Sequence, residues 1–296
     1  MSRLAYLGSP HAARPPLVSL VEAGHDVALV VSRPDTRRGR GGAPSPSPVK
    51  AAALELGLPV SDRLEDVLDA GVELAVVVAY GRIVPRPVLD ALDFVNIHFS
   101  LLPRWRGAAP VERAILAGDD VTGVCVIRLE EGVDTGPILG RRTLPIGADE
   151  HASSLLARLS AEGAELLVDL LSGGAGELGP GQAQIGDATY AAKLEPADLC
   201  LHWDAPADAL ARVVRLDGAW TTFRHRRLRV LDARAGAAPA AGAPGALHGT
   251  TVSTGSGSLD LHRVQPEGGR PMAAADWCHG VRPLEGELLG AGETGR

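Results

Sequence analysis

Apolar residues in the first half of the chain fall in short unbroken runs separated by helix-length stretches with one apolar face. Leu4 to Leu7 forms the first run and stops at Gly8-Ser9-Pro10; Val27 to Val31 forms the second. Between them Leu17, Leu20 and Val21 recur at helical spacing, so this stretch predicts a β-α-β unit. Further runs at Leu74 to Ala79, Phe94 to Phe99 and Val124 to Leu129 alternate with helical patterns such as Pro110 to Ala117. Continuous apolar strands alternating with helices predict a parallel sheet covered on both faces. From His151 to Leu171, the residues Leu155, Leu156, Leu159, Leu166, Leu167 and Leu170 repeat at roughly 3.6-residue spacing, which predicts a long amphipathic helix closing this domain.

The pattern changes at Ser172. Residues 172–188 are rich in glycine and poor in apolar side chains, the composition of a linker. Beyond them, short alternating runs at Leu199 to Trp203, Leu228 to Leu231 and Leu259 to Val264 are set apart by Ala/Gly/Pro turns. Such spacing predicts a small β-barrel rather than a second β-α-β domain. The expected organisation is a domain over 1–171, a linker over 172–188 and a second domain over 189–296. A chain of 296 residues is long enough for two cores.

Composition narrows the setting. Hydrophobic residues make up 45% and charged residues 22%, ordinary values for a soluble globular chain. Aromatics are only 3%, so Ala, Leu and Val must build the cores. Cys125, Cys200 and Cys278 lie far apart and form no Cys-x-x-Cys pair, which argues against a zinc site and a disulfide framework and fits a reducing cytoplasm. No run approaches eighteen apolar residues, so no membrane span is expected. The net charge of −7 argues against indiscriminate nucleic-acid binding. The acidity is uneven, however: residues 1–190 carry 17 Lys+Arg against 24 Asp+Glu, and residues 191–296 carry 12 of each.

The chemistry concentrates in Val95 to Ala109 and in Glu131-Gly132-Val133-Asp134-Thr135-Gly136. Side chains on a strand alternate, so Asn96 and His98 share one face while Ile97 and Phe99 take the other. Pro103 and the Arg/Gly-rich run end the strand and leave the polar pair near its carboxyl end, where open α/β sheets bind ligands. A lone histidine at a strand end is more often structural, and an aspartate before Thr-Gly is more often a turn-former. The combination Asn96-x-His98, then Ser100-Leu101-Leu102-Pro103, then Asp134 resembles the shared signature of the folate-dependent formyltransferases. The run on through Arg104-Trp105-Arg106-Gly107-Ala108-Ala109-Pro110 is most similar to the branch that acts on transfer RNA.

The resemblance spans almost the whole chain and carries definite expectations. It implies a Rossmann-like α/β domain with an open, parallel-rich sheet, followed by a small OB-like barrel that binds tRNA. It implies 10-formyltetrahydrofolate as formyl donor, initiator methionyl-tRNA as acceptor and no metal. Formyl transfer to an amine develops an oxyanion and releases a proton. Asn96 and His98 suit the oxyanion, and Asp134 suits orientation of the imidazole and relay of the proton. Ser100, Leu101, Leu102 and Pro103 are expected to line the folate pocket, with Tyr80, Gly81 and Ile83 on the opposite wall. The basic stretch from Arg33 to Lys50 resembles the family's tRNA-entering loop, with Arg37, Arg38, Arg40 and Lys50 as contacts. Here Gly41 and Gly42 stand where family members often carry lysines. Arg226 and Arg227, in the strip Arg224 to Arg229, are further candidates for the RNA backbone. The second domain is shorter before Gly218 than is usual in the family. The expected protein is a cytoplasmic monomer with tRNA and folate as partners and no membrane association.

Four other readings compete. Asp134-Thr135-Gly136 is also the triplet of aspartic proteases, but it occurs once and sits among β-α units. The first β-α-β unit lacks Gly-x-Gly-x-x-Gly, against a dinucleotide enzyme. A formyltransferase acting on a nucleotide-linked amino sugar shares the Asn, His and Asp, and a tRNA-binding module with a decayed site is the non-enzymatic alternative.

Overall fold

A computed structural model describes residues 1–37, 43–236 and 242–290. Its contacts divide the chain into two compact units, one formed by Met1–Val111, Val121–Pro145 and Leu155–Ala192 and the other by Glu112–Asp120, Ile146–Ser154 and the chain from Lys193 onward.

The first unit is built on strands β1 (Arg3–Gly8), β2 (Asp26–Val31), β3 (Val60–Ser61), β4 (Leu74–Val78), β5 (Phe94–His98), β6 (Val121–Arg128) and β7 (Ile138–Pro145). They lie in one sheet in the order β7-β6-β5-β4-β1-β2-β3. Strands β3, β2, β1, β4 and β5 are mutually parallel. The sheet is parallel-rich, as expected, with one antiparallel edge where β6 runs antiparallel to β5 and β7 antiparallel to β6. Strand β7 carries Gly140-Arg141-Arg142-Thr143 and is only intermittently buried, so no apolar run marked it. Arg142 instead ties it to the helix Ala152–Leu170 through Glu162, Glu165 and Asp169 at 3.0, 2.7 and 2.6 Å. Charge on an edge strand also discourages pairing with another chain. All five residues of β4 are buried, as a doubly covered strand requires. From β1 the chain runs outward through β2 to β3 and then resumes on the other side of β1 with β4 and β5, so the switch point lies between the carboxyl ends of β1 and β4, one strand from β5.

The long helix forms over Ala152–Leu170 and buries Leu155, Leu159, Leu166 and Leu167, as its spacing predicts. The helix Pro48–Glu55 starts with its proline at the first helical position and is capped by Ser47, whose Oγ accepts from the Lys50 amide at 2.9 Å. Ser47 is fully buried, and its hydroxyl is 2.6 Å from that of Ser32, which lies 3.3 Å from that of Ser9. This chain of hydroxyls fixes both ends of the basic stretch that follows β2.

The second unit contains β8 (Trp220–Phe223), β9 (Arg226–Gly236), β10 (Ala246–His248), β11 (Thr251–Ser253), β12 (Ser258–Pro266), β13 (Met272–Ala273) and β14 (Glu287–Leu288). The order is β8-β9-β12-β11-β10-β14, with β13 on β12, and every pairing is antiparallel, giving a barrel-like sheet. Trp203, Val230, Leu259, Leu261 and Trp277 fill its core, and Phe223 meets Trp277 edge to face with ring centroids 5.0 Å apart. The run Leu199 to Trp203, expected as a strand, is a short 3₁₀ turn and a single bridge from Cys200 to Trp220. Its apolar residues are core plugs: Trp203 packs inward while its Nε1–H donates to Thr221 at 3.1 Å. Helices Ala207–Val214 and Ala274–Val281 bury their apolar faces on the same core.

Near the barrel's last strand, the guanidinium of Arg224 forks onto Glu287 at 2.7 and 2.8 Å and holds that carboxyl down at about 2. A carboxyl depressed in the folded state adds stability that is full above its ordinary value and is lost as pH falls through its folded value. Glu287→Gln is therefore expected to destabilise the protein at pH 6 and to have a steadily smaller effect between about pH 4.5 and 2. Urea midpoints of the two proteins across that range check it; a constant difference contradicts it.

Among the described residues no helix is long and apolar enough to cross a membrane.

Candidate functional site

Strand β5 delivers Asn96 and His98 to its carboxyl end, and the loop between β6 and β7 returns to meet them. Asp134 sits in that loop with a left-handed backbone, φ 51°. Its carboxylate accepts from Asn96 Nδ2 at 3.3 Å, faces His98 Nδ1 at 3.4 Å and accepts from the Gly107 amide at 2.8 Å. The other nitrogen of His98, Nε2, lies 2.9 Å from the carbonyl oxygen of Trp105. Both ring nitrogens thus face oxygen atoms, which fixes the orientation of the ring. The side chains of His98 and Asp134 are 6% and 13% exposed, so water screens their interaction little. The three polar residues singled out by the sequence converge.

Two glycines make this convergence possible. Gly107 has φ 120°, and a Cβ there would lie 2.8 Å from the carbonyl oxygen of Ala191. Gly136 closes the Asp134 loop so tightly that a Cβ would come 2.0 Å from the carbonyl oxygen of Arg128. Neither position tolerates a side chain without displacing backbone.

The three residues stand at the head of a cleft of about 470 Å³. Val77, Val84, Leu89, Ile97 and Leu129 give it apolar walls, and residues 79–83 and 129–134 complete its lining. Tyr80, Gly81 and Ile83 line it where the sequence places them. Ile83 is 82% and Val133 57% exposed, apolar side chains left open at the cleft. Burial pushes the Tyr80 phenol up, partly offset by the Arg82 guanidinium, which donates to the phenol oxygen at 3.3 Å.

Ser100 to Pro103 do not join that lining. Ser100 is fully buried and its hydroxyl donates to the Arg104 carbonyl at 2.6 Å. Leu102 packs with Cys125, Ile127 and Ile138 in the core behind the site. Leu101 lies against Gly123 and Pro103 close to Gly186. Leu102 goes to the core while Leu101 and Pro103 stay half-buried, and the Ser100 hydroxyl braces the backbone that leads to Trp105 and Gly107.

Two participants were not legible in the motifs. One is the Gly107 amide, a backbone donor that no side chain signals. The other is Gln184, in the stretch expected as a linker, which clusters with the first unit. Its Nε2 donates to the carbonyls of Asp134 and Gly136 at 2.7 and 2.9 Å, and its Oε1 accepts from Arg106 at 3.0 and 2.7 Å.

Of the basic candidates in the first unit, Arg37 is exposed on a short hairpin of Thr36–Arg37 with Pro44–Ser45, and Lys50 pairs with Asp35 at 2.7 Å. Arg38 and Arg40, with Gly41 and Gly42, lie outside the described residues. In the second unit Arg226 and Arg227 are exposed at the start of β9, just past its turn from β8. Arg227 stacks over Trp220 at 4.3 Å, and Arg226 donates to the Glu267 carbonyl at 3.3 Å.

Comparison with known proteins adds three findings. Residues 2–171 match the formyl transferase family model and residues 193–282 that of the formyl transferase C-terminal domain. The chain is 44% identical to the methionyl-tRNA formyltransferase of Jannaschia sp. (strain CCS1), covering 97% of this chain and 99% of the relative. It is 43% identical to the methionyl-tRNA formyltransferase of Paenarthrobacter aurescens, covering 96% and 98%. Among solved structures, an N-formyltransferase of Helicobacter canadensis bound to folinic acid and dTDP-3-aminofucose aligns with a TM-score of 0.67 at 16% identity, over 88% of this chain and 99% of that one. HypX of Aquifex aeolicus, in complex with tetrahydrofolic acid, aligns at 0.67 and 15% identity over 94% and 47%. These two likenesses concern the fold alone.

Proposed function

The chain belongs to the formyl transferase family, and from that premise we propose that it moves a formyl group from 10-formyltetrahydrofolate to the α-amine of methionyl initiator tRNA, as a cytoplasmic monomer needing no metal. The observation that carries this reading is the meeting of Asn96, His98 and Asp134 at the head of the cleft, in a chain 44% identical along nearly its full length to a relative of that activity.

The cleft fits a flat heterocycle. Its apolar walls suit the faces of a pterin, the backbone of residues 79–83 and 129–133 suits the polar edge, and Tyr80, Gly81, Ile83 and Val133 close around it. When bound, the folate supplies a formyl carbon that an amine can attack. One N–H of the Asn96 amide is taken by Asp134, which leaves the second to donate to the formyl oxygen of a bound donor, where negative charge would develop. Asp134 and His98 would take up the proton that the attacking amine sheds and return it to N10 of the folate as the bond between that nitrogen and the formyl carbon breaks, while the Trp105 carbonyl keeps the ring oriented. The Gly107 amide holds the carboxylate in register.

Arg37, Arg38, Arg40, Lys50, Arg226 and Arg227 bind the tRNA in this account, the first four from the stretch that Ser9, Ser32 and Ser47 anchor. Replacing Arg37, Arg38 and Arg40 together by alanine is expected to weaken tRNA binding, to flatten its log–log salt slope by roughly 2, and to leave folate binding unchanged. Filter binding at several salt concentrations, beside a folate titration, checks it. A slope equal to that of the parent removes these arginines from the tRNA contact.

A further inference from the structure

We infer that Gln184 is a positioning residue for formyl transfer, acting through Asp134. The inference rests on the function proposed above and adds to it a residue from outside the motifs.

The contacts that assemble the Asp134 carboxylate are unequal. The Gly107 amide is close at 2.8 Å, but Asn96 Nδ2 and His98 Nδ1 stand at 3.3 and 3.4 Å, the outer limit of useful hydrogen bonding. A small drift of the loop breaks the last two, and misplacement by about 1 Å costs on the order of 10²-fold in rate. Asp134 cannot hold the position by its own backbone preference, because φ 51° is unfavourable for a residue with a Cβ. Something else must fix the loop.

Gln184 does so with every hydrogen-bonding valence of its amide. Its two N–H groups take the carbonyls of Asp134 and Gly136, either side of Thr135, and both lone pairs of its oxygen take Arg106. One planar group therefore spans the Asp134 loop and the segment that bears Trp105 and Gly107, which are the backbone partners of His98 and Asp134.

The segment carrying Gln184 is itself pinned at both ends. Gln182 exchanges two backbone bonds with Ile138, each 2.8 Å, at the start of β7. Tyr190–Ala191 pairs in parallel with Arg106–Gly107, and the Thr189 hydroxyl accepts from the Trp105 amide at 2.9 Å. The strap 182–191 thus lies across the two loops whose spacing sets the site, with Gln184 between its anchors.

The test compares Gln184→Ala and Gln184→Glu with Arg128→Ala. Arg128 holds the same stretch further upstream, its side chain donating to the carbonyls of Leu178 and Gly179 at 2.9 and 3.1 Å; its backbone meets the Asp134 loop at Gly136, and an alanine keeps that backbone contact. Single-turnover rates, folate KM, the pH profile of kcat and backbone hydrogen exchange over residues 131–136 are measured on each. Gln184→Ala is expected to lower kcat by roughly 10- to 100-fold with folate KM within about twofold, to displace the pH profile, and to speed exchange over 131–136. Gln184→Glu keeps an acceptor for Arg106 but loses both donors, so it is expected to behave like Gln184→Ala. Arg128→Ala is expected to keep the parent's pH profile and its exchange over 131–136.

A Gln184→Ala protein with the parent's rate and exchange overturns the inference. So does full recovery in Gln184→Glu, which would leave only the Arg106 contact at work. Unchanged exchange over 131–136 overturns it even where the rate falls. A parent protein inactive on methionyl-tRNA would overturn the proposed function, while the exchange comparison still decides whether Gln184 holds the Asp134 loop.

Discussion

Asp134→Asn is expected to lower formyl transfer to methionyl-tRNA by about 10²- to 10³-fold while leaving the fold and folate binding intact. The carboxylate is the common acceptor for Asn96, His98 and the Gly107 amide. An asparagine of the same shape offers one oxygen and one NH₂, so whichever way it turns, at least one of the three donors faces another donor. The loss is expected in kcat, because the residue stands at the reacting end of the cleft and its charge is needed when the amine gives up its proton. Single-turnover kinetics beside a folate titration make the measurement. A variant within about threefold of the parent would remove Asp134 from the chemistry.

Gly107→Ala is the second large effect, and it reaches activity through the backbone. A Cβ at φ 120° is strained in any surroundings, and here it would also meet the Ala191 carbonyl at 2.8 Å. Relief requires Tyr190–Ala191 to part from Arg106–Gly107, which moves the amide that positions Asp134. The expected cost is about 2–4 kcal/mol, a fall in Tm of roughly 5–10 °C, with transfer reduced at least tenfold in the protein that remains folded. Gly81→Ala is the matched control: φ is 78°, but nothing lies within 4 Å of the added Cβ. Only the conformational term, about 1 kcal/mol, is expected there. Equal losses in the two variants would show that the Ala191 contact contributes nothing.

The parts of the fold that were legible in the sequence are those where burial follows the period of the element. Strand β4 and the long helix Ala152–Leu170 announce themselves because a doubly covered strand is apolar throughout and a one-sided helix repeats at 3.6 residues. Strand β7 has neither signature, since Arg142 turns its outer face into an ion-pair anchor. The run Leu199 to Trp203 misleads in the opposite direction, because apolar plugs in a turn look like a strand when only composition is read. At the site, Asn96, His98 and Asp134 were legible because side-chain chemistry writes itself into residue type. The Gly107 amide was not, because a backbone donor leaves no mark beyond the need for glycine. Gln184 was missed because its stretch is poor in apolar residues and reads as a linker, although backbone pairing, which composition does not report, fastens it to the first unit. The turn Ser100 to Pro103 shows the same limit: its order along the chain is plain, but Leu102 goes to the core and the Ser100 hydroxyl is spent on the Arg104 carbonyl.

The most direct measurement is formyl transfer from 10-formyltetrahydrofolate to methionyl initiator tRNA, run beside a methionylated elongator tRNA and nucleotide-linked amino sugars. The expected result is product on the initiator, little on the elongator and none on the sugars. Product on an amino sugar alone would contradict the tRNA assignment while keeping the Asn96, His98 and Asp134 chemistry, and product on no acceptor would contradict the enzymatic reading altogether.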